Sequence, residues 1–302
     1  MTTPIPRGLI VPTITPLLEQ DKLDIAALEA LVDRVITGGV HGLFVVGSSG
    51  EGPSLSQRLK REVIERACRQ VAGRAAVIVC VTDPSPVESA ALAAHAADCG
   101  AAAVAVAPPF YFPLTQAELY DYISRCAVEF SLPVVAYNFP ALTKIAFEPA
   151  TVRRLLDNPK IVGFKDTSFD IAYFKEVRRV TREREDYRLY TGPEQLLTES
   201  VRLGGDGGVC GGANLFPRLL VDLYEAAVAS DADRLAPLTM RLTALGEIYK
   251  CGEGASAPAI RGLKAALAEL GLGNGLTAAP LAPATKAERQ RIAAVIRELA
   301  TD

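Results

Sequence analysis

Residues 42–81, GLFVVGSSGEGPSLSQRLKREVIERACRQVAGRAAVIVCV, decide the fold. They open on an apolar β-rich run and close on another, and the middle has a different period. Leu55, Leu59, Val63, Ala67 and Val71 recur every four residues, Arg and Glu occupy the opposite face, and Gly73 ends the pattern. That is an amphipathic helix between two strands, and a crossover of this length joins strands that run parallel. The same unit recurs along the chain. Short β-rich runs begin at residues 8 (GLIVP), 42 (GLFVVG), 76 (AVIVCV), 103 (AVAVAP), 133 (PVVAYN), 161 (IVGFK), 188 (RLYTG) and 207 (GGVCGG), with helical patterns between them. Asp24 opens the first helix, and Thr115 with Glu118 has the spacing of a capping box.

Eight strands alternating with helices fit a closed (β/α)8 TIM barrel over residues 1–230, with a single hand of crossover. An open doubly wound sheet is the alternative, but no GxGxxG follows the first strand. Residues 231–302 carry helical patterns at 231–250, 257–271 and 286–300, separated by CGEGASAP and LAPAT, and read as a C-terminal helical extension.

The 302 residues are 49% hydrophobic and 22% charged, enough apolar material for a large core. A net charge of -3, with no basic patch, argues against nucleic acid. The proline-bearing N-terminus MTTPIPRGLIVPTITP does not read as a signal peptide, and no apolar run reaches the length of a membrane span, so a cytoplasmic protein is expected. Six scattered cysteines without a CxxC pair read as buried free thiols. His41 and His95 are the only histidines; neither has a nearby ligand partner, and no metal is expected.

In a barrel of this kind the chemistry gathers where strands end and βα loops begin. Those ends are GSSGEGPS (47–54), PPFYFP (108–113), YNFPALTK (137–144), FKDTS (164–168), TGPEQ (191–195) and GGANLFP (211–217). Lys165 ends an otherwise apolar strand. Burial disfavours its charged form, and a neutral amine near pH 7 can condense with a ketone to give an imine that accepts electrons during carbon-carbon cleavage. The plain reading is a lysine that reaches solvent or pairs with Asp166. Tyr137 ends the preceding strand, either as a core tyrosine or as a proton shuttle beside Lys165. GSSGE offers two hydroxyls and freed backbone N–H groups for a carboxylate, or is simply a strand-to-helix turn. Glycines 204–212 permit close backbone approach, in a tight turn or around a phosphate. An amine route needs no metal, whereas a metal-dependent aldolase needs a His/carboxylate cluster that two histidines cannot supply.

GSSGE, YNFP, GFKDTS and GGDGG with the following AN stand in the order and spacing of the dihydrodipicolinate synthase and N-acetylneuraminate lyase family, and the chain resembles that family over essentially its whole length. The resemblance implies a pyruvate-dependent class I aldolase on a (β/α)8 barrel, with no cofactor beyond a covalent imine of pyruvate on Lys165. It further implies that Tyr137 relays protons, that Tyr111 is the tyrosine a neighbouring subunit inserts into the relay, and that Ser48 and Ser49 grip the pyruvate carboxylate. Thr167 matches a hydroxyl position of the sialic acid lyases, Gly192 and Val209 line the pocket through their backbone, and relatives assemble as homotetramers or dimers. The synthases carry an arginine where this chain has Leu142, which argues against lysine biosynthesis. Pro193, Glu194 and Gly211 replace a Tyr, an Asp and a Ser of the sialic acid lyases. The expected activity is cleavage or formation of a 2-keto-3-deoxy sugar acid from pyruvate and an aldehyde. Alternatives are a keto-deoxy acid dehydratase, an N-acetylneuraminate lyase, a hydratase-aldolase using Phe110, Phe112, Phe139 and Leu142 as an apolar pocket, a true 4-hydroxy-tetrahydrodipicolinate synthase, and a keto-acid binding protein without turnover.

Overall fold

A computed structural model describes residues 5–251 and 257–300, so most of the CGEGASAP separator lies outside the described residues. Each of the eight β-rich runs forms a strand: β1 (Gly8–Pro12), β2 (Gly42–Val45), β3 (Ala76–Cys80), β4 (Ala103–Val106), β5 (Val134–Asn138), β6 (Ile161–Asp166), β7 (Arg188–Thr191) and β8 (Gly207–Val209). They close into one barrel in sequence order, with β1 beside β8. The pairings β3 to β4, β4 to β5, β5 to β6, β6 to β7, β7 to β8 and β8 to β1 are all parallel. Buried on both faces, such strands must be apolar nearly throughout, which is why they read as continuous Val/Ile/Ala runs.

Helices α1 (Ile25–Thr37), α2 (Gln57–Val71), α3 (Pro86–Asp98) and α4 (Gln116–Glu129) follow the first four strands. The short α5 (Pro140–Thr143) with α6 (Pro149–Leu155), then α7 (Ile171–Thr181), α8 (Leu197–Arg202) and α9 (Pro217–Ala229), follow the last four. The C-terminal part adds α10 (Ala232–Gly246), α11 (Pro258–Glu269) and α12 (Lys286–Ala300). The helix starts are chemically explicit. Asp24 accepts the Ala27 N–H at 3.0 Å, Ser56 caps α2 through the Leu59 N–H, and Thr115 with Glu118 closes a reciprocal capping box on α4. All five apolar positions spaced along 55–71 are buried, as the four-residue period predicts. A small antiparallel hairpin, Leu17–Glu19 with Lys22–Leu23, has no counterpart in the sequence reading; its strands are too short to show a period.

The described chain resolves into two compact units that alternate along the sequence. One comprises the N-terminal residues through Ile10, His41–Phe44 and Ala76–Cys210; the other comprises Val11–Val40, Val45–Ala75 and the chain from Gly211 onward. The first contains an apolar cluster of Ile10, Phe44, Ile78, Val135, Tyr137, Tyr190, Val209 and their neighbours. The glycines of β8 have a packing origin. A Cβ on Gly207 would lie 1.9 Å from the Gly8 carbonyl oxygen, and its φ of +150° is one that L side chains rarely adopt. His41 Nδ1 accepts the Leu9 N–H at 3.1 Å. His95, on α3, does have a nearby thiol, contrary to the sequence reading: its Nε2 is 3.6 Å from the sulfur of Cys99, one helical turn on, but among the described residues no group of three or more His, Cys, Asp or Glu could hold a metal. Cys80, Cys126, Cys210 and Cys251 are buried, Cys68 and Cys99 are half-buried, and all six are free thiols. No described helix is long and apolar enough to cross a membrane.

Candidate active site

In the first unit the strand register brings two of the expected residues side by side. Tyr137 of β5 is the direct neighbour of Lys165 of β6, and Tyr190 of β7 flanks Lys165 on the other side. Side chains alternate across a strand, so Asn138 and Asp166, one position further on, point to the opposite face. Asp166 is consumed there: it accepts the Asn138 amide at 2.8 Å, the Ser168 N–H at 3.0 Å and the Ser168 hydroxyl at 2.8 Å. Burial nevertheless pushes its pKa up to about 6. The reading in which Lys165 pairs with Asp166 is therefore excluded.

Lys165 does not reach solvent either. It is 4% exposed, and its Nζ stands 4.0 Å from the ring centroids of both Phe44 and Tyr137. Among the described residues no carboxylate pairs with it. Burial brings its pKa down to about 7, against an opposing pull from Cys80 and Cys210. The buried Cys210 thiol is itself held far above its ordinary range by desolvation. A lysine in this state is part neutral at neutral pH, and the faces of two aromatic rings stabilise whatever cation forms. The arrangement can attack a carbonyl carbon and carry the resulting iminium.

Thr167 and Gly192 continue the same surface. Thr167 is buried, its N–H donates to the Asn138 carbonyl at 2.8 Å, and its hydroxyl has no protein partner. Gly192 lies against Thr167 and donates its N–H to the Asp166 carbonyl at 2.6 Å. Val209 is in the apolar cluster with Tyr137, Phe44 and Tyr190. Tyr111 is not drawn in. It is 77% exposed on the loop after β4, and its ring packs edge-on against Phe112 with centroids 5.0 Å apart.

The turn carrying Ser48 and Ser49 belongs to the second unit, directly after β2. Both serines are half-buried, and the turn is fixed by Glu51 N–H to Ser48 carbonyl at 3.0 Å and Gly52 N–H to Gly47 carbonyl at 3.1 Å. Sequence reasoning missed Phe44, Cys80 and Cys210 as neighbours of Lys165. Their signal was present but weak: each lies within or just after an apolar β run, where a core role is the ordinary reading.

The model of the dihydrodipicolinate synthetase family matches residues 5–299. The chain belongs to that family. As a family member it is an enzyme of the lyase and aldolase class, on the (β/α)8 barrel seen above. It is 41% identical to the structure described as dihydrodipicolinate synthase from Bacteroides thetaiotaomicron, with a TM-score of 0.94 over 99% of this chain and 100% of that one. It is 27% identical to YagE, a prophage protein of Escherichia coli K12 solved in complex with pyruvate, with a TM-score of 0.91 over 97% of this chain and 98% of that one. A third family relative, the "Probable 2-dehydro-3-deoxy-D-pentonate aldolase YjhH" of Escherichia coli K12, is 34% identical over 244 residues, 80% of this chain and 81% of the relative.

Proposed function

We propose that this enzyme is a class I aldolase that splits a 2-keto-3-deoxy sugar acid into pyruvate and an aldehyde, or joins them. The observation that carries the reading is Lys165, buried between two aromatic rings, paired with no carboxylate among the described residues and next to Tyr137 in register. The neutral Lys165 amine adds to C2 of the keto acid, and loss of water leaves the iminium. Tyr137 gives its phenolic proton to the departing carbinolamine hydroxyl, and the resulting phenolate then takes the proton of the C4 hydroxyl as the C3–C4 bond breaks. That bonding pair flows into the iminium, giving an enamine and releasing the aldehyde. Protonation of the enamine at C3 and hydrolysis return pyruvate and free Lys165. Ser48 and Ser49 hold the C1 carboxylate, Thr167 offers its unpartnered hydroxyl to the substrate chain, and the backbone at Gly192 and Val209 lines the pocket. The name of the 34% identical pentonate aldolase relative and the pyruvate in the YagE complex support this substrate class. No cofactor takes part.

A second reading, synthase activity on an amino-acid semialdehyde, is favoured by the description of the 41% identical Bacteroides structure. Leu142, on α5 and exposed, stands where the synthases carry a carboxylate-binding arginine, and an apolar side chain cannot replace that bidentate cation. Borohydride reduction in the presence of pyruvate tests the shared chemistry: one pyruvyl adduct on Lys165 is expected by mass spectrometry, and an adduct on another lysine, or none, overturns it. A panel of 2-keto-3-deoxy acids and aspartate semialdehyde then separates the two readings by which compound turns over.

A further inference from the structure

Two buried charges of the second unit, Glu51 and Lys264, are not used by the chemistry above, and they meet at the turn that carries Ser48 and Ser49. Glu51, the last residue of GSSGE, is fully buried at its side chain, as is Lys264 of α11, and the two form an ion pair. Glu51 Oε1 also accepts the Ala278 N–H at 2.7 Å, from a residue 227 positions away, and Lys264 Nζ donates to the Leu276 carbonyl at 2.6 Å. Glu51 sits in the left-handed region at φ 58°, unusual for a non-glycine residue. The turn around it is pinned from inside as well. Thr15 Oγ1 donates to the Gly50 carbonyl at 2.8 Å, and a Cβ on Gly52 would lie 2.1 Å from the Val46 carbonyl oxygen.

We propose that Glu51 and Lys264 are positioning residues: their buried pair, tied to the backbone at Leu276 and Ala278, holds the Gly47–Gly52 turn in the conformation that lets Ser48 and Ser49 receive a substrate carboxylate. The inference rests on the reading above, in which those serines grip pyruvate. A buried pair of this kind is weak evidence for net stability, because replacing both charges together by uncharged groups of similar size is often neutral, while removing one strands the other. Its stronger use is geometric: Glu51 has a left-handed backbone to maintain, and Lys264 anchors its carboxylate. Burial pushes the Glu51 carboxyl up and the Lys264 amine down, and each opposes that shift in the other.

The test is borohydride trapping across a pyruvate titration, with the full chain as wild type, as E51Q/K264M, and as E51Q alone, which keeps an acceptor for the Ala278 N–H. Each variant is first checked by circular dichroism. The expected result is a tenfold or greater rise in the pyruvate concentration giving half-maximal trapping, with the saturated yield still one adduct per chain on Lys165. A role in stability alone would lower Tm and leave that midpoint unmoved, and a wild-type midpoint in a folded variant overturns the proposal. If wild type fails to trap pyruvate on Lys165, it is the aldolase reading that falls. If the double variant does not fold, E51Q gives the same readout.

Discussion

At the scale of the residue, the behaviour of Lys165 follows from its surroundings and is measurable. Only the neutral amine attacks a carbonyl, so imine formation should rise as pH passes through about 7 and level off above it. Rapid-mixing imine formation against pH checks this; a midpoint near the ordinary lysine value would contradict the burial argument. Stability carries the same signature with a definite sign. The unfolded lysine keeps its proton to about 10.5 and the folded one gives it up near 7, so between those values the unfolded chain binds more protons and stability rises with pH. The burden of Lys165 is thus complete below pH 7 and gone above about 10.5. K165M removes it, and its gain over wild type in urea unfolding should be roughly 3–5 kcal/mol at pH 6 and should shrink toward pH 10. It should also abolish activity. Truncating the ring over the amine tests the cause directly. F44A should cost about 3–5 kcal/mol of stability and move the pH midpoint for imine formation upward, because water reaches the ammonium.

At the scale of the element, the end of β6 works because its two faces are assigned to different tasks. Asn138 and Asp166 join β5 to β6 on the face opposite Lys165, and the Asn138 carbonyl oxygen of the side chain also accepts the Phe147 N–H at 3.2 Å, fixing the chain just before α6. N138A should lose both bonds and lower stability by about 2–4 kcal/mol in denaturant titration. It should also lower kcat by disturbing the strand end that presents Lys165; full activity would show that the two faces are independent. This part of the molecule was legible in outline. Strand ends in YN and KD suggested Tyr137 near Lys165 but left it open against a core tyrosine; alternation fixes the face of each side chain, and the register of β5 with β6 supplies the direct pairing. The Glu51 to Lys264 pair was not legible, because the period of α11 explains burial of its leucines and alanines but not which carboxylate meets its lysine. Nor did the sequence announce Phe44, since an apolar residue inside an apolar strand carries no mark of what it faces. Local periodicity specifies elements and register; contacts between distant charges depend on the tertiary arrangement that the elements build.

At the scale of the whole molecule, one expected residue of the machinery lies exposed on its loop. Tyr111 is 77% exposed, Phe112 beside it is 73% exposed, and both follow β4, with their rings packed edge-on against each other. Adjacent exposed aromatics on a loop are costly to leave in water and are commonly covered by a partner surface. The resemblance assigns that cover to a second copy of the chain, with Tyr111 completing the proton relay in the neighbour's site. Mixing inactive variants makes this decisive. K165A lacks the amine but presents Tyr111, and Y111A lacks the phenol but keeps Lys165. In a mixed pair of chains one of the two sites then holds both groups. Random exchange puts half of the pairs in that state, so about a quarter of wild-type activity should return on mixing two preparations that are each nearly inactive. Light scattering should find dimers or tetramers before and after mixing. If Y111A is fully active by itself, or if the mixture recovers nothing while exchange is demonstrated by mass spectrometry, the relay is complete within one chain and Tyr111 has only a packing role.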